Sequence, residues 1–123
     1  MPVAVLQFNP NRIPEVEAAR LARELPDIIA PNLNLPEKVR HDGQVTPEDI
    51  IVWCDPGHAL DVNTKDIEIL IWAHDFPERR ENIEDRKEAI LDGVRASLAH
   101  VDYKRKIDGY VWILLQSTAF GQI

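Results

Sequence analysis

The residue with the clearest chemical potential is Pro2, which follows Met1 and directly precedes an apolar run at residues 3–8. If Met1 is removed, Pro2 becomes a free secondary amine at the start of a buried strand. An α-amino group has a pKa of about 7.7 to 8.0 in water, and burial or a nearby cation lowers it. Such an amine could take a proton from carbon near neutral pH. If Met1 is retained, the same nitrogen is an amide with no useful basicity.

Arginines follow two of the apolar runs. Arg12 comes after the first run, and Arg79 and Arg80 come after a run at residues 67–73. Each arginine stands close to the start of a predicted helix, where the helix dipole also favours an anion. Arg12 and either Arg79 or Arg80 are therefore suited to bind a small carboxylate. The alternative is a solvated surface role, with neighbouring glutamates as ion partners.

The sequence predicts neither a metal site nor an organic cofactor. No histidine has the spacing of metal ligands, and no Gly-rich phosphate loop or Ser-His-Asp arrangement is present. His74, followed by Asp75 at the end of a strand, is a candidate auxiliary acid or base, although the pair could simply stabilise a turn. Cys54 lies in a strand-like stretch and is expected to be a small buried thiol. Trp112 and Phe120 are candidates for the wall of an apolar pocket beside Pro2.

The composition is that of one globular domain over residues 1–123. Hydrophobic residues make up 45% of the chain, and the formal net charge is −7. That charge disfavours nucleic acid, because binding to it depends on neutralising phosphates. No apolar run approaches the ~20 residues of a membrane span, and the first residues lack a signal peptide. The expected location is therefore the cytoplasm.

The first half of the chain predicts a strand, a basic turn, a helix and a second strand. The first strand covers residues 3–8, and the helix begins near Pro14. Pro26 lacks an N–H and clashes with the preceding turn, so we expect the helix to break or kink there. Residues 31–44 are predicted to form a loop. The second strand is predicted at residues 50–54.

The second half repeats this order. A strand at residues 67–73 is followed by the turn that holds Arg79 and Arg80, and then by a helix with apolar residues at helical spacing between Ile83 and Val101. Residues 110–115 form the last predicted strand. Two strand–helix–strand units of this kind predict a pair of βαβ segments.

The predicted sheet needs more cover than one chain can supply. Several of its strands are apolar on both faces, whereas two helices are enough for one face only. Further copies of the same chain, packed with closed symmetry, would cover the other face.

These features together resemble the tautomerase superfamily, which includes 4-oxalocrotonate tautomerase, 5-carboxymethyl-2-hydroxymuconate isomerase and macrophage migration inhibitory factor. The shared features are a proline after Met1, two βαβ units, an arginine after the first strand, and the sequence Thr-Pro-Glu-Asp-Ile-Ile-Val at residues 46–52. The resemblance covers nearly the whole chain, and residues 115–120 look most like bacterial members. It implies an α/β fold with a four-stranded sheet and two helices on one face.

The resemblance also implies a site. It makes Pro2 the catalytic acid or base and makes Arg12, with Arg79 or Arg80, the substrate-binding residues. It thereby implies that these arginines converge near Pro2, within or between chains. It further implies a cofactor-free enzyme and a homotrimer with sites at subunit interfaces. Two features depart from the pattern, because no arginine lies in the second strand and no acidic residue matches the water-activating group of the dehalogenases.

Three functions follow from this interpretation. The first is a tautomerase or isomerase that acts on a small keto–enol carboxylate and uses Pro2 to move a proton. The second is a cofactor-free decarboxylase that uses the same proline. The third is a non-catalytic oligomeric module, which applies if Met1 is retained.

Overall fold

Four strands form one mixed sheet in the computed structural model, which describes residues 2–102, 106–119 and 121–123. The strands are β1 (Val3–Phe8), β2 (Ile51–Pro56), β3 (Ile67–His74) and β4 (Gly109–Gln116). Their spatial order is β2-β1-β3-β4. β2 runs parallel to β1, β4 runs parallel to β3, and the central strands β1 and β3 are antiparallel. The sheet therefore joins two βαβ units side by side, as the sequence predicts.

The helices are α1 (Glu15–Leu33), the single turn α2 (Pro77–Arg80) and α3 (Ile83–Asp102). α1 links β1 to β2, α3 links β3 to β4, and both pack on the same face of the sheet. They also contact each other, where Arg20 donates hydrogen bonds to the carbonyl and hydroxyl oxygens of Ser97. The predicted α/β fold, with two main helices on one face, is confirmed. Among the described residues, no helix is long and apolar enough to cross a membrane.

The core lies between the helices and the sheet. Alternate residues of the central strands face the helices, as the two-residue period of a strand requires. The largest buried aliphatic residues of the strands and of α1 are Leu6, Ile69, Ile71, Leu21, Leu25, Ile29 and Leu33. Each such side chain contributes about 1.5–3 kcal/mol when it is fully buried.

The predicted break of α1 at Pro26 is wrong, whereas a kink, its alternative, stays a prediction. The helix continues through Pro26 and Pro31 and ends at Leu33, so the following loop begins at Asn34. A proline inside a helix costs about 3 kcal/mol or more. Ile29 and Leu33 lie beyond Pro26 on the buried face, and their burial offsets a cost of that size. Tertiary packing therefore overrides the local preference.

Cys54 is also not the buried thiol that the sequence suggests. It lies on β2, which is an edge strand of the sheet, and the residue is exposed. Partial burial of the thiol, followed by the negative charges of Asp55 and Glu15, raises its pKa. The thiol is therefore not activated as a thiolate.

The sheet face turned away from the helices, here called the open face, is apolar across its middle. Two adjacent rows of four residues each, read across the strands, contain only apolar side chains. One row is Trp53, Val5, Leu70 and Trp112, and the other is Ile51, Val3, Trp72 and Leu114. Trp53 is 65% exposed and Trp112 is 48% exposed. No described helix of the same chain packs on this face.

Candidate functional site

A cavity of about 350 Å³ lies at the end of the sheet where β1 begins and β3 ends. Pro2, His74, Arg79 and Thr118 line it. The remaining lining residues are Asp42, Gly43, Gln44, Val45, Asp49 and Phe76. Pro2 is buried, and its carbonyl oxygen accepts a hydrogen bond of 3.1 Å from the N–H of Ile51. The first residue of the predicted site is thus held between the starts of β1 and β2.

A larger cavity of about 560 Å³ lies near the opposite end of β1. Its walls come from the turn after β1 and from the segment between β2 and β3, including His58, Asp61 and Lys65. Neither Pro2 nor any arginine is among the described residues that line it. Size alone would favour this cavity, but the smaller one contains the residues that could carry the predicted chemistry.

Arg79 is the buried cation of the Pro2 cavity, with only 2% of the residue exposed. Its Nε donates to the carbonyl oxygen of Leu33 at 3.0 Å, and Nη1 donates to that of His74 at 2.9 Å. Nη2 lies 3.5 Å from the carbonyl oxygen of Gly43. Burial, with a smaller contribution from the charge of Arg86, lowers the pKa of Arg79 to about 10. The guanidinium is therefore still protonated at neutral pH.

Arg79 has no carboxylate within 4.0 Å among the residues that the structure describes. A guanidinium has five N–H donors, and three of them are used on the carbonyl oxygens of Leu33, His74 and Gly43. Two donors are left on a positive group at the wall of the cavity. This arrangement is suited to an anion entering from the cavity.

Arg80, the neighbouring candidate, is not among the described residues that line the Pro2 cavity. Its residue is exposed, and Nε donates to Asp75 at 2.9 Å. Asp75 is therefore an ion partner of Arg80. The side chains of His74 and Asp75 have separate partners, Thr118 and Arg80, and the role of the pair as an auxiliary acid or base stays a prediction.

The loop of residues 34–46 positions the cavity wall opposite Pro2. The N–H of Leu35 donates to the carbonyl oxygen of Gly43 at 3.0 Å, and Asn34 accepts from the N–H of Val45 at 2.8 Å. Arg40 lies over the ring of Phe76, with its guanidinium carbon 4.2 Å from the centroid. The first two contacts hold the loop together, and the third fixes it against Phe76, three residues before Arg79.

The two carboxylates of the cavity have protein partners. Asp42 accepts from Arg40 at 2.9 Å. Asp49 accepts from the N–H of Thr46 at 2.8 Å and from its hydroxyl at 3.1 Å, which caps the short 3-10 helix Pro47–Asp49. Neither carboxylate pairs with Arg79, so the buried cation keeps its attraction for an incoming anion.

Arg12 is not close to Pro2 within one chain. It follows the far end of β1, where Nε donates to Asp66 at 3.0 Å and Nη2 lies 3.4 Å from the carbonyl oxygen of Lys106. A six-residue strand spans about 20 Å, which separates the two predicted site residues. A contribution of Arg12 to the site of another copy stays a prediction.

His74 and Thr118 form a contact that sequence reasoning did not find. The His74 Nδ1 lies 3.2 Å from the Thr118 hydroxyl oxygen and accepts from the Thr118 N–H at 3.4 Å. The imidazole also packs against the ring of Phe76 in a tilted arrangement, with ring centroids 4.5 Å apart. His74 ends β3 and Thr118 follows the end of the neighbouring strand β4, but the two residues are 44 positions apart in the sequence, so no local motif signals their contact.

The two candidates for an apolar wall beside Pro2 are not among the described residues that line the cavity. Trp112 belongs to the open face, where its Nε1 lies 3.4 Å from a carboxylate oxygen of Glu68. Phe120 falls outside the described residues. Within the described ranges, no three His, Cys, Asp or Glu side chains are grouped so that they could hold a metal ion.

No known family model and no curated protein matches the sequence. Solved structures do match its fold. The structure is similar to 5-carboxymethyl-2-hydroxymuconate delta-isomerase, with a TM-score of 0.65 and 16% identity over 100% of this chain and 87% of the other. The chain has a tautomerase-like fold. Malonate semialdehyde decarboxylase gives a TM-score of 0.62 and 10% identity over 98% of this chain and 91% of the other.

The asymmetric trimer of R7 fused 4-OT has the same tautomerase-like fold, with a TM-score of 0.59 and 14% identity over 98% of this chain and 91% of the other. At these identities the similarity concerns the fold and does not identify an activity. The predicted resemblance to tautomerases is therefore confirmed at the level of the fold. Activity must be argued from the cavity itself.

Proposed function

We propose that this protein is a cofactor-independent tautomerase or isomerase of a small keto–enol carboxylate, with Pro2 as the acid and base after removal of Met1. The observation that carries the proposal is the shared cavity of Pro2 and Arg79. A buried guanidinium without a carboxylate partner in the described chain is suited to a substrate carboxylate. A neighbouring amine is suited to move a proton on the same substrate.

The proposed reaction begins when the amine of Pro2 takes a proton from carbon next to the substrate carbonyl. The electrons of the broken C–H bond form an enolate, or a dienolate if the substrate is unsaturated. The protonated amine then returns the proton to a different carbon or to oxygen. Burial and the positive charge of Arg79 both favour the neutral amine that the first step requires.

Arg79 would bind the substrate carboxylate through its two remaining N–H donors and stabilise the charge that develops on the enolate. Arg80 is less suited to this role because it is exposed and paired with Asp75. Arg12 of a neighbouring copy would add a second contact in exchange for its bond to Asp66.

The cytoplasmic location also stays a prediction.

We further propose a homotrimer in which copies of the open face cover one another. The two apolar rows of that face support association, because an exposed patch of this kind is typical of protein interfaces. The trimer of R7 fused 4-OT, which shares the fold, gives independent support.

A decarboxylase is the second candidate, favoured by the similarity to malonate semialdehyde decarboxylase. The same cavity would then bind the carboxylate that leaves as carbon dioxide. If Met1 is retained, the nitrogen of Pro2 is an amide and the non-catalytic oligomeric module takes the place of both enzymes.

The amino terminus decides between enzyme and module. We expect mass spectrometry of the natural protein to show a chain that begins at Pro2. The processed form should ketonise a simple 2-hydroxydienoate, followed by ultraviolet absorbance, whereas a form that retains Met1 should not. Pro2→Ala should lower kcat about 10²- to 10⁴-fold, which is the usual contribution of general acid–base catalysis.

Pro10→Ala is the matched control, because Pro10 is exposed and lines the cavity at the other end of β1. It should leave turnover unchanged. Equal turnover by the processed and the Met1-bearing protein would show that the proline does not act as the base. Release of carbon dioxide from a 3-oxo acid, without ketonisation, would favour the decarboxylase.

A further inference from the structure

We propose that His74 is a second substrate-binding group of the Pro2 cavity and that its Nε2–H donates a hydrogen bond to the carbonyl or enolate oxygen. The proposal deepens the proposed function, on which it rests for the class of substrate. In this proposal His74, rather than Arg79, binds the oxygen of the reacting carbonyl.

The contact with Thr118 fixes the position of the imidazole proton. A backbone N–H can only donate, and the N–H of Thr118 points at the Nδ1 of His74 at 3.4 Å. Nδ1 must therefore act as an acceptor, and the proton of the neutral ring must be on Nε2. The Thr118 hydroxyl, 3.2 Å from the same nitrogen, can donate to it as well.

The Nε2 donor is left available for a ligand. Within the described part of the chain, every hydrogen bond of the His74 ring is made by Nδ1, and His74 lines the cavity. The ring is held on one side by Phe76, at 4.5 Å between centroids. A donor that is already fixed before the substrate arrives costs little reorganisation during the reaction.

His74 and Arg79 are also fixed relative to each other. The carbonyl oxygen of His74 accepts from Nη1 of Arg79 at 2.9 Å, so the end of β3 and α2 are tied together. A 2-oxo acid carries a carboxylate and a carbonyl oxygen on adjacent carbons. The guanidinium suits the carboxylate, and a neutral imidazole N–H suits the adjacent oxygen, on which negative charge grows when the α-proton leaves. The imidazole keeps its proton throughout.

The first test is independent of turnover. In ¹⁵N-labelled protein, NMR should show that Nε2 of His74 carries the proton and that Nδ1 does not. Addition of pyruvate should shift the Nε2 resonance clearly more than addition of acetate, which has a carboxylate but no adjacent carbonyl. A proton on Nδ1, or equal shifts with the two acids, would overturn the proposal.

The second test replaces His74 with asparagine or glutamine, whose side-chain amides differ in distance from the backbone. The side-chain nitrogen of glutamine lies close to the place of the histidine Nε2, whereas that of asparagine lies near Nδ1. His74→Asn should lower kcat roughly 10- to 100-fold, as expected for loss of a hydrogen bond to a charged oxygen, and should change KM little. His74→Gln should recover most of that loss. His58→Asn, at the other cavity, is the control that should leave kcat unchanged.

A merely structural role for His74 predicts a different result. Asparagine and glutamine would then lower thermal stability without separating in kcat, and that outcome would contradict the proposal.

The proposed role of Pro2 and the proposed role of His74 can be refuted independently. If Pro2→Ala is fully active while pyruvate still shifts Nε2, the proline mechanism is wrong and the role of His74 stands. If Pro2→Ala is inactive while His74→Asn is fully active, the reverse holds.

Discussion

Arg79 keeps its charge in a buried position because backbone carbonyl oxygens accept hydrogen bonds from its guanidinium and so replace lost water. The carbonyl oxygen of Leu33 belongs to the last residue of α1, where the helix dipole is negative, and the carbonyls of His74 and Gly43 complete the set. The pKa of Arg79 still falls to about 10. Because the folded state holds this proton less tightly than the unfolded chain, the charge costs stability at every pH below about 10. That cost is relieved only as the pH rises further.

An anion that pairs with Arg79 should therefore stabilise the fold. We expect millimolar pyruvate to raise the melting temperature of the wild-type protein, since a ligand that binds only the folded state stabilises it. Arg79→Gln should remove the shift with pyruvate. It should also lower the melting temperature without ligand, because the carbonyl oxygens of Leu33 and Gly43 lose a buried donor, and this loss outweighs relief of the buried charge. Arg80→Gln is the matched control and should retain the shift. If Arg80→Gln loses the shift while Arg79→Gln keeps it, the anion binds at Arg80 instead.

The sequence could identify Pro2 and a pair of arginines, but it could not choose between Arg79 and Arg80. Successive residues of a helix differ by about 100° in direction, so one of two neighbours faces inward. α2 is a single turn without an apolar stripe, so its orientation depends on contacts with Leu33 and Gly43, which are distant in the sequence. The contact of Thr118 with His74 could not be predicted either, because the two residues are 44 positions apart in the sequence.

At the scale of elements, the strands and α3 follow from their apolar periodicity, and their ends differ from the prediction by no more than two residues. The length of α1 does not follow in this way. Pro26 and Pro31 are local signals for termination, whereas the burial of Ile29 and Leu33 is known only once the sheet is in place. The site depends on this longer helix, because Leu33 supplies a carbonyl to Arg79.

The start of β4 offers a test of strand packing. A Cβ atom added at Gly109 would clash with the carbonyl oxygen of Ile67, its partner on β3. Gly109→Ala should therefore displace the backbone of one strand and lower the free energy of unfolding by about 1–3 kcal/mol or more. Urea denaturation monitored by tryptophan fluorescence would measure the loss.

Gly121→Ala is the control for this variant, because nothing lies within 4 Å of the added atom. Its stability should stay close to that of the wild type. Equal stability of the two variants would show that β3 and β4 separate more easily at this end than their close approach indicates.

At the scale of the whole molecule, the helices cover one face of the sheet and form the core with it, whereas no described helix covers the open face. The open face carries Trp53, Trp72 and Trp112 in its two apolar rows, next to a polar row that includes Gln7 and Glu68. Association through this face would bury the tryptophans. The sequence predicts such a need because its strands are apolar on both sides, but the geometry of assembly requires more than one chain.

Light scattering at micromolar concentration should report a trimer of the wild-type protein. Trp53→Glu should shift the population towards monomers, because a charge buried without a partner is strongly unfavourable. Val16→Glu is the control, since Val16 is 70% exposed on α1, on the helix side of the molecule. A wild-type protein that stays monomeric, or equal dissociation of both variants, would contradict assembly through the open face.

The antiparallel pairing of β1 and β3 relates the two βαβ units by an approximate twofold rotation and gives the sheet two comparable ends. At one end Pro2 directly precedes β1 and shares a cavity with Arg79, which follows β3. At the other end Asp66 directly precedes β3 and bonds to Arg12, which follows β1. In this pseudosymmetric chain the two ends differ in their charge balance. One end neutralises its arginine with an internal carboxylate, whereas at the other end the buried guanidinium has no carboxylate partner among the described residues.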